Sequence, residues 1–480
     1  MNNTIVGFDH FVNMLQTYII QRQNLLFERS VSSILIIIAP LLVFIFIGLL
    51  GFYYYTSFST ASAYVPILRF SKQDSLPQIK DPHLKVEIIA NGLKLPTSIA
   101  FLEPDDMLVL EKDNGTVKRI VNGKMLSQPL LDVNVATQIE RCMCGIAISR
   151  NDLNRTYVFL YYTEADGRDG GPAINNRLYR YEMIGNNKLT NPVLLLNLPA
   201  LPGPRHNGGA IIIGPDNDLY VPIGDVDGHR TNSENFKNGP PVDGTGGILR
   251  INQDGSPLSD NPLGNTYPLN LYYAYGIRNS FGIDFDPVTG ELWDTENGPG
   301  YGDEINLVQA GFNSGWGKIQ GLFIRDQYNK SNHVYGADDS RSITQSGKLT
   351  SIPRDLVDFA GKGVYSPPEF TWNHTVGPTG IKFFNSNKYG PEYENALFVG
   401  DVHNGNLYLF KLNNNRTMLA LPTTLQDKIA NNLADVQQII FGKGFGGISD
   451  LEVGPDGNLY VVSIGQGRIF KIVSNSEDGT

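Results

Sequence analysis

The sequence predicts an all-β protein, a six-bladed β-propeller preceded by one N-terminal transmembrane helix. With 51 Gly, 28 Pro and only 18% charged residues among 480, its composition is typical of short strands joined by tight turns. A unit of two apolar strands around a polar turn recurs along most of the chain. A long apolar segment precedes these units, and it is the reason for predicting the helix.

The apolar segment lies at 32–55 and contains no charged residue. It reaches the roughly 20 apolar residues that cross the core of a bilayer, and the tyrosines from Tyr53 to Tyr55 would form an aromatic anchor at the interface. A cleaved signal peptide with its processing site after Ala63 is the alternative, but the length of the apolar run favours an uncleaved anchor. We therefore expect a single-pass protein of the cell membrane with an extracytoplasmic propeller.

The recurring unit predicts the propeller. Its copies begin at Ile99, Ile146, Ile211, Ile283, Ile381 and Leu451. A strand-turn-strand unit cannot bury both of its faces alone, which is why such units are arrayed around an axis. The segment KVEIIANGL is expected to pair with RIFKIV near the C-terminus and to close the ring. The insertions 228–244 and 321–358 are expected to be loops on the functional face.

These features divide the chain into four parts. They are an N-terminal cytoplasmic segment (1–31), the transmembrane helix (32–55), a linker (56–83) and the propeller (84–480).

Charge and cysteine content narrow the function classes. The net charge is −10 and no run of Lys or Arg occurs, which argues against nucleic acid as a partner. Cys142 and Cys144 lie two positions apart on a predicted strand, where they would share a face without forming a relaxed disulfide. We interpret them as small core residues.

His206 is the first candidate catalytic residue. It lies in GPRHNGGAIII, where proline and glycines just before a strand indicate a loop with close backbone approach. The same unit ends in Asp225 of the sequence IGD, and a carboxylate can orient an imidazole as a general base. A surface or capping histidine is the alternative, but a propeller can bring the start of one strand and the end of its partner to one face.

Arg278 and Asn279 precede the next unit in the same way. Together they offer a forked cation and an amide to an anionic or quinonoid ligand. The alternative is structural, since an Asn after a strand often adopts a turn conformation and an Arg often pairs with a neighbouring acid.

Gly298 and Pro299 form a candidate metal turn. Pro299 has no N–H and keeps Gly298 out of helical geometry, which leaves consecutive carbonyl oxygens free to face a cation such as Ca²⁺. Asp303 and Glu304 add carboxylates that would serve a second Ca²⁺. An acidic turn without a metal is the alternative, because the spacing is not that of an EF-hand.

Several motifs occur together in the propeller region. They are ERCMCGIAI from Glu140, HNGG at His206, IGD at Asp225, GIRNSFGIDF from Gly276, ENGPGYGDEINL from Glu296 and GPDGNLYV near the C-terminus. From about Leu84 onward the chain thereby resembles the soluble pyrroloquinoline-quinone-dependent glucose/sorbosone (aldose sugar) dehydrogenases.

The resemblance implies a propeller that holds pyrroloquinoline quinone (PQQ) over its axis. It implies that His206 takes the proton of a sugar's anomeric hydroxyl, that Asp225 orients His206, and that Arg278 stabilises the charge of the reduced cofactor. It also implies that Asn279 and Glu140 line the cofactor.

The resemblance implies two calcium sites as well. One would use the Gly298 and Pro299 carbonyls to polarise the quinone, and the other would be structural and use Asp303 and Glu304. In such cofactor enzymes the metal acts as a Lewis acid and the protein supplies orientation.

The chain departs from the family pattern at the far wall of the expected site. Where relatives place basic residues against the quinone's carboxylates, this chain has His403, Gly447 and Ser449. A desolvated carboxylate without a partner is unfavourable, so Lys443, Lys382 or another cation would have to substitute.

A second departure lies beside the expected base. The acid that usually precedes it is replaced by Arg205, which adds a positive charge near the pocket and offers a further contact to a cofactor carboxylate.

The sequence therefore predicts a membrane-anchored quinoprotein dehydrogenase that uses PQQ and Ca²⁺. Its substrate would be an aldose or a related sugar or polyol, and its electrons would pass to a quinone pool or a small redox protein. A non-catalytic, Ca²⁺-stabilised propeller that binds glycans or a protein partner is the alternative. A lactonase-type hydrolase fits less well, because such sites use several converging carboxylates.

Overall fold

A computed structural model describes residues 75–150, 155–185, 188–325, 345–349 and 351–475. Strands and turns make up nearly all of these ranges, as the composition predicts, and the α-helix found in them is α1 (Leu433–Ile439).

The first half of the chain contributes three sheets. Two strands precede them: β1 (Gln78–Ile79) and β2 (Leu84–Ala90). The first sheet consists of β3 (Pro96–Glu103), β4 (Asp106–Glu111), β5 (Thr116–Val121), β6 (Lys124–Met125) and β7 (Leu131–Asp132). The second consists of β8 (Met143–Arg150), β9 (Thr156–Ala165), β10 (Ala173–Ile184) and β11 (Lys188–Leu198). The third begins with β12 (Ile212–Ile213), β13 (Leu219–Ile223), β14 (Gly247–Ile251) and β15 (Tyr272–Tyr275).

The second half completes the ring. The fourth sheet begins with β16 (Ser280–Phe285), β17 (Leu292–Glu296) and β18 (Asp303–Val308). A small separate sheet follows the third-sheet strand β19 (Phe312–Asn313) and consists of β20 (Ile319–Gln320), β21 (Phe323–Arg325) and β22 (Gln345–Lys348). Then β23 (Val364–Tyr365) joins the third sheet and β24 (Phe370–Trp372) the fourth. The last two sheets contain β25 (Pro378–Phe383), β26 (Leu397–Asp401), β27 (Leu407–Phe410), β29 (Ile440–Lys443), β30 (Ile448–Val453), β31 (Leu459–Ser463) and β32 (Arg468–Ser474), while β28 (Ile429–Ala430) pairs with β24 in the fourth sheet.

The N-terminal strands close the ring. β2 pairs antiparallel with β32 along its length, which confirms the closure predicted from the sequence. β1, which lies in the segment 56–83 predicted as a linker, pairs with β29 of the fifth sheet. Each end of the propeller chain is thereby held in a sheet.

The prediction of six blades is wrong. The strands nearest the axis are β3, β8, β12, β16, β25 and β30, and five of them have six to eight residues. In the third sheet, β12 has only two. The residues before it lie against the fourth sheet instead: Ala210 N donates to Phe281 O over 2.9 Å, and a Cβ on Gly209 would lie 2.4 Å from that oxygen. The propeller therefore has five complete blades and a third sheet whose inner strand is replaced by this segment.

The predictions of a transmembrane helix and of a single-pass cell-membrane location are also corrected. Within the described ranges no helix has the length and apolar character needed to span a bilayer. Helix α1 has seven residues and is about 10 Å long, whereas about 20 residues are needed to span the core of a bilayer. The segment 32–55 itself lies outside the described residues. No membrane helix enters the function proposed below.

Cys142 and Cys144 form a disulfide, contrary to the prediction of two free core residues. β8 begins only at Met143, and its pairing with β9 shifts register between Met143 and Gly145. Cys142 therefore lies before the strand and Cys144 lies at the register shift, and their Cα atoms are 5.1 Å apart, within the usual range for a disulfide. Both are buried, as predicted.

The insertion predicted as a loop at 321–358 is partly ordered as strands β21 and β22, and the residues between them lie outside the described ranges. The insertion at 228–244 forms a loop with one short 3₁₀-helix, Asn232–Glu234. One side chain of this loop, that of Asn235, donates to Asn313 Oδ1 over 2.9 Å.

Charged residues line a small cavity of about 30 Å³ among the inner strands. Lys382 Nζ lies 3.2 Å from Asp284 and 2.9 Å from Glu452. Asp450 accepts hydrogen bonds from Ser98 Oγ and the Ile99 amide. Burial, with the neighbouring Glu452 carboxyl, raises the pKa of Asp450 to about 7.

Asp450 makes stability depend on pH. Its folded-state pKa of about 7 lies above the ordinary value of about 3.9, so the folded protein holds this proton more tightly. The contribution is complete below about pH 4 and is lost as the pH rises to about 7. The free energy of unfolding of the wild type should therefore fall between pH 4 and 7. In Asp450→Asn we expect this fall to be smaller by about 2–4 kcal/mol, measured by urea denaturation across that range. The surface variant Asp254→Asn should keep the wild-type slope, and an unchanged slope in Asp450→Asn would contradict the assignment.

Candidate active site

One end of the propeller gathers the starts of the inner strands and the ends of their hairpin partners. Antiparallel pairing places Ser280 opposite Glu296, and Ile448 opposite Ser463, at this end. Most sequence-predicted site residues flank the same strand ends: Glu140, Arg205, His206, Asp225, Arg278, Asn279, Gly298, Pro299 and His403. The structure therefore brings to one face most of the residues that the sequence singled out.

His206 and Asp225 form a buried pair. His206 Nδ1 lies 2.5 Å from Asp225 Oδ1, and the two residues are 6% and 2% exposed. The second oxygen of Asp225 accepts a hydrogen bond of 2.8 Å from the indole N–H of Trp316. Burial alone would raise the pKa of Asp225, but His206, Arg278 and the indole lower it to about 2. The carboxylate is thus ionised and aligned on the imidazole.

The backbone around this pair adopts left-handed conformations. His206 has a φ of 58°, and Val226 and Asp227, just after the carboxylate, have φ values of 48° and 66°. Such angles are unfavourable for residues other than glycine, above all for a β-branched one, and they concentrate at functional sites. The conformation is held by neighbours, since the His206 amide donates to Glu140 Oε2 over 2.6 Å.

Glu140 links two blades at the site. Besides the His206 amide, its Oε2 accepts from Asn279 Nδ2 over 3.4 Å. The side-chain oxygen of Asn279 is buried and has no partner among the described residues. Glu140 therefore positions the loop of the candidate base, while Asn279 keeps an acceptor available to a ligand.

Arg278 spans the site from the fourth blade. Its amide donates to Glu296 Oε1, and its guanidinium donates to the carbonyls of Asn297 and Gly298 over 2.8 and 3.2 Å. Its Cζ lies 5.3 Å from the ring centroid of Trp316. The buried Nε has no partner within the described ranges. Arg278 is thus the cation that faces both the candidate metal turn and the His206–Asp225 pair.

Asp303 supports the Gly298–Pro299 turn from behind. Its Oδ1 accepts from the Gly298 amide over 2.7 Å. Its Oδ2 accepts from Thr375 Oγ1, the Val376 amide and the Gly377 amide at 2.6–2.9 Å. With four donors on one carboxylate, Asp303 is occupied by protein groups and acts as an anchor of the turn.

Glu304 points to the opposite face of β18, because successive side chains alternate along a strand. The register pairs it with Glu296 and pairs Asn306 with Asp294, so four polar side chains share one buried face. The structure therefore does not bring Asp303 and Glu304 to a common ion. Across the part of the chain that the structure describes, no cluster of three or more His, Cys, Asp or Glu has the arrangement of a metal site.

Burial raises the pKa values of Glu304 and of the carboxyl groups around it. Burial raises the pKa of Asp294 to about 7. Burial and the Asp294 carboxyl raise the pKa of Glu296 to about 8, and the pKa of Glu304 is raised well above its ordinary value for the same physical reasons. Both Asp294 oxygens lack a hydrogen-bond partner among the described residues. Sequence reasoning missed Asp294 and Glu296, although polar residues at alternate positions of a buried strand signal such a face.

The two lysines considered for the far wall lie elsewhere. Lys443 is exposed on β29 and donates to Gln437 Oε1 over 2.6 Å. Lys382 is held in the central cavity between Asp284 and Glu452. Neither approaches the His206–Asp225 pair through any contact of the described residues.

His403 and Arg205 lie at the mouth. His403 is exposed, and its Nε2 would lie 3.2 Å from a Cβ on Gly377, whose amide bonds Asp303. Arg205 Nη1 lies 3.7 Å from Asp227 Oδ2. Asp227 therefore offsets part of the charge that Arg205 adds beside the candidate base.

Comparisons with known proteins place this geometry among sugar dehydrogenases. A family model described as glucose / sorbosone dehydrogenase matches residues 93–471. The aldose sugar dehydrogenase YliI of Escherichia coli is 25% identical over 396 residues, covering 81% of this chain and 92% of that protein. Quinoprotein glucose dehydrogenase B of Acinetobacter calcoaceticus is 25% identical over 441 residues, covering 82% and 88%.

Solved structures show the same fold. A putative oxidoreductase (glucose dehydrogenase) from Thermus thermophilus has a TM-score of 0.59 and 26% identity, covering 81% of this chain and 100% of that one. The PQQ-bound aldose sugar dehydrogenase of Streptomyces coelicolor has a TM-score of 0.56 and 22% identity, covering 83% and 99%.

Asp303→Asn tests the anchor of the turn. An amide has one acceptor oxygen and presents an NH₂ group to backbone donors, so buried N–H groups lose their partner. We expect a loss of about 1–3 kcal/mol in the free energy of unfolding, measured by urea denaturation. Asp105→Asn, at an exposed turn with a φ of 57° that Asn also adopts, should change it by less than about 0.5 kcal/mol. Equal effects of the two variants would contradict the anchoring role.

Proposed function

The chain belongs to the glucose/sorbosone dehydrogenase family, which confirms the resemblance seen in its motifs. From this membership we propose that it is a PQQ-dependent dehydrogenase, assisted by Ca²⁺, that oxidises an aldose or a related sugar or polyol. The observation that carries the proposal is the His206–Asp225 pair of 2.5 Å, buried at the propeller mouth beside Arg278.

The pair suits a general base. Asp225 engages Nδ1 of His206, which favours the tautomer whose Nε2 lone pair is free to take a proton. In our proposal Nε2 takes the proton of the sugar's anomeric hydroxyl, and the ionised Asp225 stabilises the imidazolium that results. When bound, the quinone with its calcium supplies the electrophile that accepts the hydride.

The Gly298–Pro299 turn fits the first calcium. Oxygen ligands, including backbone carbonyls, are what Ca²⁺ takes. Asp303 fixes the turn through the Gly298 amide, and Gly298 O, which accepts from Arg278 Nη1 over 3.2 Å, would exchange this contact for the cation. We propose the Gly298 and Pro299 carbonyls as the protein's contribution to the cation that assists the reaction.

The face around Glu304 is our proposal for the second, structural calcium. The Asp294 oxygens have no hydrogen-bond partner of normal geometry among the described residues, although Ser280 and Asn306 carry donors on the same face, and an added cation would satisfy these oxygens. Glu304, with Glu296 on the neighbouring strand, would supply carboxylate oxygens. Asp303 is left out of this site because protein donors occupy both of its oxygens.

The residues around the mouth fit a quinone bearing carboxylates only in part. Arg278 Nε and Asn279 Oδ1 are buried without a partner among the described residues, as expected of groups that await a ligand. We propose that Arg205 and His403 contribute at the rim, with Glu140 holding the base loop. Lys443 is not retained as a cofactor contact, because it lies on the outer strand β29 and donates to Gln437 of α1.

The non-catalytic propeller remains the second candidate. One observation favours it: Lys382 and Lys443 are engaged elsewhere, so the far wall gains no cation from either. Such a protein would keep its calcium turns for stability and bind a glycan or a protein partner. For the dehydrogenase, we propose that the electrons pass to a quinone pool or a small redox protein.

Quinone binding and turnover decide between the two candidates. The purified chain is given Ca²⁺ and PQQ, and the absorbance of the quinone is followed as aldoses are added. We expect saturable binding and reduction of the quinone by at least one aldose. An absence of saturable quinone binding would contradict the dehydrogenase proposal.

His206→Ala tests the base. Loss of a general base lowers the rate by about 10²–10⁴-fold, and because the base acts in the transition state, quinone binding should persist. His229→Ala is a matched control, since His229 Nδ1 also lies near a carboxylate, 2.9 Å from Asp243 Oδ2. The control should retain turnover within a few-fold, and equal losses in both variants would argue against His206 as the base.

A further inference from the structure

Trp316 lies between the two charged residues of the proposed site. Its indole N–H donates to Asp225 Oδ2 over 2.8 Å, and its ring centroid lies 5.3 Å from Arg278 Cζ. The residue is only 3% exposed. We infer that Trp316 is a positioning residue that fixes the rotation of the Asp225 carboxylate, and through it the orientation of His206. This inference rests on the proposed function for its kinetic consequence, but not for its structural one.

The physical reason lies in how a carboxylate is oriented. Bonded at one oxygen only, the Asp225 carboxylate could turn about its Cβ–Cγ bond and swing the imidazole with it. A donor on the second oxygen removes this freedom, as partners behind a functional group commonly do. Because Asp225 is 2% exposed, solvent is a poor substitute for that donor.

Trp316 is itself held by a reciprocal pair of buried amides, the Asn235–Asn313 clasp. Asn235 Nδ2 donates to Asn313 Oδ1 over 2.9 Å, and Asn313 Nδ2 donates to Asn235 Oδ1 over 2.8 Å. Asn235 Nδ2 also lies 3.1 Å from the Trp316 carbonyl, and the Trp316 amide donates to Gly276 O. The backbone of Trp316 is therefore fixed at both its polar groups.

The clasp gives a role to the insertion at 228–244. Asn235 lies in this loop, with a φ of 61°, and reaches across to the turn that carries Trp316. Gly276 makes room for the clasp, because a Cβ there would lie 1.9 Å from Asn313 Oδ1. A loop of the third sheet thus supports the donor that aligns Asp225.

The other tryptophans provide an internal comparison. The chain contains three Trp. The indole nitrogens of Trp293 and Trp372 are buried and have no acceptor among the described residues, whereas that of Trp316 bonds a carboxylate. The indole N–H of Trp316 therefore has a distinct electrostatic environment.

Indole NMR of the full chain, free of quinone and calcium, tests the contact directly. With ¹⁵N-indole tryptophan, one N–H resonance should lie downfield of the others, be absent from Trp316→Phe and move upfield in Asp225→Asn. Asp243→Asn, which alters the neighbouring His229–Asp243 pair, should leave it in place. A Trp316 resonance that does not respond to Asp225→Asn would overturn the inference.

Kinetics of the loaded protein test the positioning role. Trp316→Phe keeps an aromatic ring beside Arg278 but removes the N–H, so we expect kcat to fall about tenfold, a fraction of the loss for the base itself, with KM nearly unchanged. In an Asp225→Asn background the same change should have little further effect, because the coupled partner is already lost. An equal fall of kcat in both backgrounds, or a change in KM alone, would contradict the role.

The two measurements separate the inference from the function on which it rests. If wild-type protein reduces no quinone with any aldose, the proposed function fails while the indole resonance still reports on the Trp316–Asp225 contact. If turnover is present and the resonance ignores Asp225, the positioning inference fails alone.

Discussion

A buried carboxylate must find a donor or a cation, and this constraint organises the mouth of the propeller. Asp225 meets it with an imidazole on one oxygen and an indole on the other. Asp303 meets it with backbone amides and one hydroxyl, and in doing so it fixes the Gly298 turn. Glu140 meets it partly through the His206 amide. Asp294 meets it least well, since neither of its oxygens has a hydrogen bond of normal geometry in the described residues, and we therefore propose a cation on its face.

The sequence predicted the contact between His206 and Asp225 but not the number of blades. His206 and Asp225 belong to one repeat, 19 positions apart, so a single hairpin brings them together. Trp316 lies 91 positions from Asp225 and meets it only once β19, just before Trp316, has joined the third sheet, a contact that no local pattern contains. The opposite directions of Asp303 and Glu304 were predictable from strand alternation, whereas the four donors on Asp303 were not.

The errors also have local causes. Glycine and proline around His206, which indicated a loop, are the reason that the inner strand of the third sheet shrinks to Ile212–Ile213. The disulfide between Cys142 and Cys144 depends on a register shift that spacing does not reveal. Lys443 lies close to Gly447 in the sequence and was therefore expected near the far wall, but its side chain extends from the outer strand β29. A propeller motif locates strand ends well and side chains on outer strands poorly.

In the proposed reaction, the His206–Asp225 pair removes a proton while hydride leaves the anomeric carbon of a sugar. The most direct measurement is the single-turnover rate of quinone reduction with an aldose carrying deuterium at that carbon, compared with the protiated sugar. We expect slower reduction with the deuterated sugar in the wild type, and almost none with either sugar in His206→Ala. Reduction at equal rates with both sugars, undiminished in His206→Ala, would contradict the proposed reaction.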